Sequence, residues 1–206
     1  MMRLAAVVLV IGVGVARADA PFAVLANPKG TWTYDVLKGK KHKPTGTKTT
    51  LTVTGVHTAG AYTAIEFTAD GLDGVPGTWM IGPEGLREIL YFQPGDNGGY
   101  TEAYLKSEYD DHYVPRVYLQ PVPATKKKLH WKLGRFGDED RDYNVTGSIA
   151  KTAHGWRTAW KGTYSIPETG EKTSYTWSTE YDPAVGFTEI CDESNVCLRL
   201  APQGST

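Results

Sequence analysis

The sequence predicts a mainly-β protein: a single curved antiparallel sheet, a half-barrel or open barrel, of about ten to eleven strands with one short helical or loop insertion. Three observations carry this. The 206 residues use Thr (24), Gly (23) and Tyr (12) heavily and Met (3) sparingly, and β-branched and aromatic side chains suit a pleated, half-buried surface. Apolar and polar residues alternate with period two through most of the chain, the strand signature. The alternating segments are joined mostly by short turns, which connect antiparallel neighbours but cannot carry parallel crossovers.

The chain opens with Met1-Met2-Arg3, an apolar run from Leu4 to Val15, and the small-residue stretch Ala16 to Ala20. This is the pattern of a secretory signal peptide. The apolar run would rise only about 18 Å as a helix, short of the roughly 30 Å hydrocarbon core, so it is not a membrane span. Cleavage after Ala20 would set Pro21 beside the scissile bond. Cleavage after Ala18 is expected instead, making 1–18 the signal peptide and 19–206 a single β half-barrel domain. No Cys follows the leader to accept a lipid. The protein is expected to be exported, to the periplasm or the extracellular medium.

The first strand alternates Trp32, Tyr34 and Val36 with Thr31, Thr33 and Asp35; the next places Leu51 and Val53 between threonines. Ile65 and Phe67 mark a third. Trp79 and Ile81 lead into the turn Gly82-Pro83-Glu84-Gly85 and a strand from Leu86 to Phe92. The segment from Gly95 to Pro123 breaks the pattern. Thr101 to Glu108 reads as two helical turns with Thr101 as N-cap, and Pro115, Pro121 and Pro123 exclude a long element after it. Alternation resumes at Leu129-Trp131-Leu133, Tyr143-Val145-Ile149, Trp156-Trp160-Tyr164 and Tyr175-Trp177-Tyr181, the last two joined by Pro167-Glu168-Thr169-Gly170. Phe187 to Cys191 and Val196 to Leu200 close the chain.

Cys191 and Cys197 flank the polar turn Asp192 to Val196. A hairpin sets them opposite each other, and an oxidising compartment makes them a disulfide. A loop this short gives about 2 kcal/mol on the chain-entropy model. A redox or metal pair is the weaker reading, since C-x5-C lacks helix-start geometry and no companion ligand stands nearby in sequence.

Formal net charge is −1, without the basic excess a nucleic-acid partner requires. His42, His57, His112, His130 and His154 form no metal-spaced pair, and no nucleophile elbow or phosphate-binding glycine loop is present. Glu108, Asp110, Asp111 and His112 read as a solvated acidic surface. Gly137 to Asn144 has alternating acidic oxygens but Tyr143 and Ile149 where a calcium loop needs Gly and Glu, so it reads as a charged turn. Asn144-Val145-Thr146 matches a glycosylation acceptor inside a strand. No catalytic residue, metal site or cofactor is predicted, and the chain is not expected to be an enzyme.

Three segments together carry a resemblance: Gly30-Thr31-Trp32-Thr33-Tyr34; Pro115 to Pro121 with Lys128-Leu129-His130-Trp131; and Trp177 to Phe187. Their order resembles uncharacterised bacterial periplasmic β half-barrels, related in fold to the outer-membrane lipoprotein carrier (LolA-like) group. The resemblance implies a curved antiparallel sheet half-closed around an apolar cavity. Gly30-x-Trp32 is also similar to the lipocalin first strand, with Arg199 where lipocalins pack an Arg over that Trp; eleven strands exceed an eight-stranded barrel.

All six tryptophans fall on candidate strands, as core or as a cavity wall. Trp156, Trp160 and Tyr164 share one strand face; Tyr175, Trp177 and Tyr181 share that of its hairpin partner, which should form an aromatic ladder. A half-barrel leaves its concave face to a plug, a partner or a ligand. The expected ligand-binding residues are Trp156, Trp160, Tyr175 and Trp177, with Tyr104 and Leu105 on the covering segment. The expected function is non-enzymatic binding of a lipid or other apolar ligand. The competing expectation is a cell-envelope structural or protein-interaction module with a packed core.

Overall fold

The structure, a computed structural model, describes residues 21–70, 77–89, 99–111, 118–137, 142–165, 168–192 and 194–202. The predicted signal peptide lies outside these residues. So do Leu90 to Phe92 of the fifth predicted strand, His112, Pro115, Pro167 and residues 138–141 of the acidic turn.

Twelve strands form one antiparallel sheet. They are β1 (Thr31–Lys38), β2 (Lys43–Ala59), β3 (Tyr62–Asp70), β4 (Gly77–Gly82), β5 (Gly85–Ile89), β6 (Tyr118–Leu119), β7 (Lys128–Gly137), β8 (Asp142–Lys151), β9 (Trp156–Ser165), β10 (Lys172–Asp182), β11 (Gly186–Cys191) and β12 (Val196–Leu200). The one α-helix, α1 (Glu102–Asp111), interrupts them. The strand order is β6-β5-β4-β3-β2-β1-β12-β11-β10-β9-β8-β7. The sheet is thus two meanders joined by the pairing of the first strand with the last. It stays open, because β6 and β7 end the order rather than pair with each other. Eleven strands match the expectation; β6, two residues long, is the addition.

Alternation fixes which side is buried. Trp32, Tyr34, Leu51, Val53, Ile65, Phe67, Trp79, Leu86, Ile149, Tyr181, Phe187 and Leu198 share one core. Trp79 of β4 lies 5.1 Å from Phe187 of β11, ring to ring, although four strands separate β4 from β11. Only a strongly curved sheet brings those rings together, so the core is its concave side.

That side is filled by the residues just ahead of β1. Residues Ala23–Ala26 form a 3-10 turn that drives Phe22 and Leu25 into the core, both buried. Phe22 lies 5.3 Å from Tyr181 and 6.2 Å from Trp156. The Tyr181 hydroxyl donates to the Pro21 carbonyl at 2.9 Å, the Trp32 indole to Val185 at 2.8 Å, and the Tyr34 hydroxyl to Phe187 at 3.0 Å. The polar ends of Trp32, Tyr34 and Tyr181 are thereby satisfied.

The insertion packs on the other face. Thr101 caps α1, its hydroxyl accepting from the Tyr104 amide at 3.2 Å, as the sequence predicts. Leu105 and Tyr109 bury against Tyr62, Ala64 and Met80. The Arg87 guanidinium stands 4.1 Å from the centre of the Tyr109 ring and donates to the Tyr109 carbonyl. At the head of the helix, Tyr100 stacks on His57 with ring centres 3.5 Å apart and donates to the Glu66 carboxylate. Desolvation, then that carboxylate, raise the Tyr100 phenol to about 12.

A rung of charges also crosses this outer face. Arg157, Glu180, Glu189, Arg199, Asp35 and Lys48 stand opposite one another in turn from β9 to β2. Ion pairs close at 3.6 Å for Arg157–Glu180, 2.7 Å for Arg199–Glu189 and 2.8 Å for Lys48–Asp35.

Candidate functional site

The β9–β10 hairpin pairs in unbroken register: Trp160 opposes Trp177, Thr158 opposes Thr179, Gly162 opposes Tyr175 and Trp156 opposes Tyr181. The predicted ladder forms. Trp160 and Trp177 stack with centres 5.9 Å apart and planes 12° from parallel. Tyr175 meets Trp160 edge-on at 5.8 Å. Gly162 makes room for this, because a Cβ there would lie 2.3 Å from the Tyr175 ring. A glycine covered by a cross-strand aromatic lowers the cost of an otherwise weak strand position. The sequence reading did not single out Gly162.

The ladder has two ends with different surroundings. At one, Trp156 stacks on Tyr181 with centres 6.0 Å apart and belongs to the packed core beside Phe22. At the other, Trp160 is only 5% exposed, and its indole N–H has no acceptor among the described residues. Thr158 and Thr179, between the two ends, are also buried, and neither hydroxyl has a partner among the described residues. Leaving such a group unpaired in the interior costs about 1–3 kcal/mol. Three of them side by side mark a place that wants a water or the polar group of a ligand.

A cleft of about 660 Å³ lies on the reverse face of the strands that carry this ladder, within the size range of small-molecule sites. It follows a second rung, offset by one residue. His130, Ser148, Ala159, Ser178, Cys191 and Cys197 stand opposite one another from β7 to β12, and all six line the cleft. The offset sets this rung on the face away from the core. Its middle members are small, so the sheet is left bare between larger neighbours. Trp160 and Trp177 border the cleft, as do Lys161 and His42.

Of the predicted ligand-binding residues, the structure brings Trp160, Tyr175 and Trp177 together. Trp156 extends the same face into the core. Leu105 lies elsewhere, buried under α1 on the outer face of β3 and β4, with Tyr104 packed beside it. The helix therefore covers that outer patch and not the aromatic ladder, whose concave neighbour is the Phe22 plug. In the acidic surface, Asp110 pairs with Lys106 one helical turn away.

Cys191 and Cys197 are directly paired across β11 and β12 and form the predicted disulfide. His42, from the turn after β1, places Nε2 3.5 Å from Cys197 Sγ. Nothing in the local sequence announces this neighbour, since 155 positions separate the two residues.

No family model matches the chain, and no curated protein matches it. Among solved structures, a protein described as a lipoprotein of Parabacteroides distasonis is similar over 84% of this chain and 94% of its own, at 14% identity and a TM-score of 0.42. An exported protein with a YmcC-like fold from Bacteroides fragilis is similar over 84% of this chain and 95% of its own, at 10% identity and a TM-score of 0.35. Likenesses this distant carry no inference about the fold or role of the chain.

Proposed function

We propose that the chain is an exported, non-enzymatic binding protein that holds an apolar or amphiphilic small molecule, a lipid being the leading class, against Trp160 and Trp177. The observation that carries this reading is the buried aromatic face at Trp160. Its ring stacks on Trp177 and keeps an indole N–H, beside the Thr158 and Thr179 hydroxyls, for which no described residue provides a partner. Ligand sites are typically apolar and aromatic with a few placed polar groups. Here the Trp160 indole N–H and the Thr158 and Thr179 hydroxyls are the polar groups on that face, while the cleft lined by Ser148, Ser178, Lys161 and His130 opens on the reverse face of the same strands.

The test is to purify the protein from a bacterial envelope without detergent, denature it and identify co-extracted small molecules by mass spectrometry. A stoichiometric amphiphile is expected. Trp160→Ala should then lose most of that species while keeping a cooperative unfolding transition. Protein free of any small molecule, or a variant that retains the ligand fully, overturns the reading.

A second reading, an envelope module that meets other proteins and carries no ligand, is favoured by one observation: Phe22 and Leu25 already fill the concave core. Clean protein that binds no amphiphile would favour it.

A further inference from the structure

The turn between β1 and β2 lies against the turn between β11 and β12. The Gly39 amide donates to the Asn195 carbonyl at 3.0 Å, and the His42 amide to the Gly39 carbonyl at 2.8 Å. His42 (φ 45) and Asn195 (φ 59) are the two non-glycine residues with positive φ among the described residues, and both line the cleft. Left-handed backbone in such residues persists where surrounding structure enforces it, and it concentrates at functional sites. Here it aims the His42 imidazole at the cysteine pair. His42 Nε2, Cys191 Sγ and Cys197 Sγ all lie within 4.8 Å of one another. On the far flank, Glu189 Oε1 stands 3.7 Å from Cys191 Sγ, while Oε2 is held by Arg199.

We propose that these three atoms form a zinc site when the disulfide is open, so that the end of the cleft has two alternative locks, a covalent bond or a metal ion. The chemistry balances. A dithiol reductant exchanges with Cys191–Cys197, becoming a disulfide itself while its two protons and two electrons pass to the two cysteines. Zinc then binds both sulfurs as thiolates, releasing the two protons, and takes the neutral imidazole as its third ligand. Two sulfurs and one nitrogen leave one tetrahedral position open, facing solvent or Glu189. Soft thiolates with an imidazole favour zinc over magnesium or calcium. Each cysteine already stands opposite the other, so neither strand needs to change register for the exchange of locks.

The experiment uses the purified protein, oxidised and after anaerobic reduction with a phosphine that is then removed. Cobalt(II) serves as the spectroscopic probe, followed by competition with zinc. The expected result is a thiolate-to-cobalt charge-transfer band at one metal per chain in the reduced protein. It should be abolished by zinc, absent from the oxidised protein and lost in reduced His42→Ala. Zinc should also slow the return of the disulfide when oxygen is admitted. Far-UV circular dichroism monitors the sheet throughout. No band in reduced protein that keeps its sheet overturns the proposal. So does an undiminished band in His42→Ala, or a sheet lost on reduction that zinc does not restore.

Discussion

Thr158 and Thr179 present hydroxyls to the interior with no described partner, an arrangement that ordinary β-sheet packing avoids. Val has nearly the same shape as Thr and needs no partner. If the hydroxyls serve only the fold, Thr158→Val and Thr179→Val should leave stability unchanged or raise it by about 1 kcal/mol, because each removes an unpaired buried group. If they hold a ligand's polar group, the same variants should keep or gain stability and lose co-extracted ligand. Urea midpoints read beside extraction yields separate the two. A marked fall in midpoint would show that a water or another protein group already satisfies them.

At the scale of the element, the proposed function gives the β9–β10 hairpin and α1 separate tasks, and substitutions should divide accordingly. Gly162→Ala places a Cβ inside the Tyr175 ring, so the ring must leave Trp160. The aromatic near-UV dichroism should change, and ligand yield should fall with only a modest loss of stability. Leu105→Ala removes a fully buried side chain from beneath the helix and should cost about 2–5 kcal/mol with the ligand yield of the folded fraction unchanged. An equal effect of both substitutions on retention would contradict this division. The hairpin was legible in the sequence because Trp, Tyr and Thr alternate with fixed parity on both strands. The cap at Thr101 was legible for the same local reason. The face that α1 covers was not, because Tyr62, Ala64 and Met80 carry no mark separating an outer patch under a helix from a core.

For the molecule as a whole, what the sequence left unread is what the pairing of β1 with β12 creates. The contact of His42 with Cys197, the six-strand charge rung and the meeting of Trp79 with Phe187 all join residues far apart in the chain. Periodicity reports faces, whereas these contacts depend on strand order and curvature. The phenols of the core give a global test. Burial raises both Tyr34 and Tyr181 above the ordinary tyrosine range, with Asp182 adding to the effect on Tyr181. The folded state therefore holds these protons more tightly than the unfolded chain, which releases them near pH 10. Their stabilisation is complete below that pH and is lost as pH rises above it toward the raised value in the folded state. Urea midpoints should fall steeply above about pH 10, and Tyr34→Phe should flatten the slope.

For a chain exported and cut after Ala18, the Phe22 plug also bears on the order of events. Cleavage after Ala18 would leave only Asp19 and Ala20 ahead of the carbonyl that Tyr181 holds. An extended span of three residues reaches about 10 Å, too little for a peptidase to grip the scissile bond while Pro21 and Phe22 are docked. With cleavage at that bond, processing comes first and the sheet closes over Phe22 afterwards. A chain refolded in vitro with its leader attached should resist signal peptidase, and Phe22→Ala, with its seat emptied, should be cut.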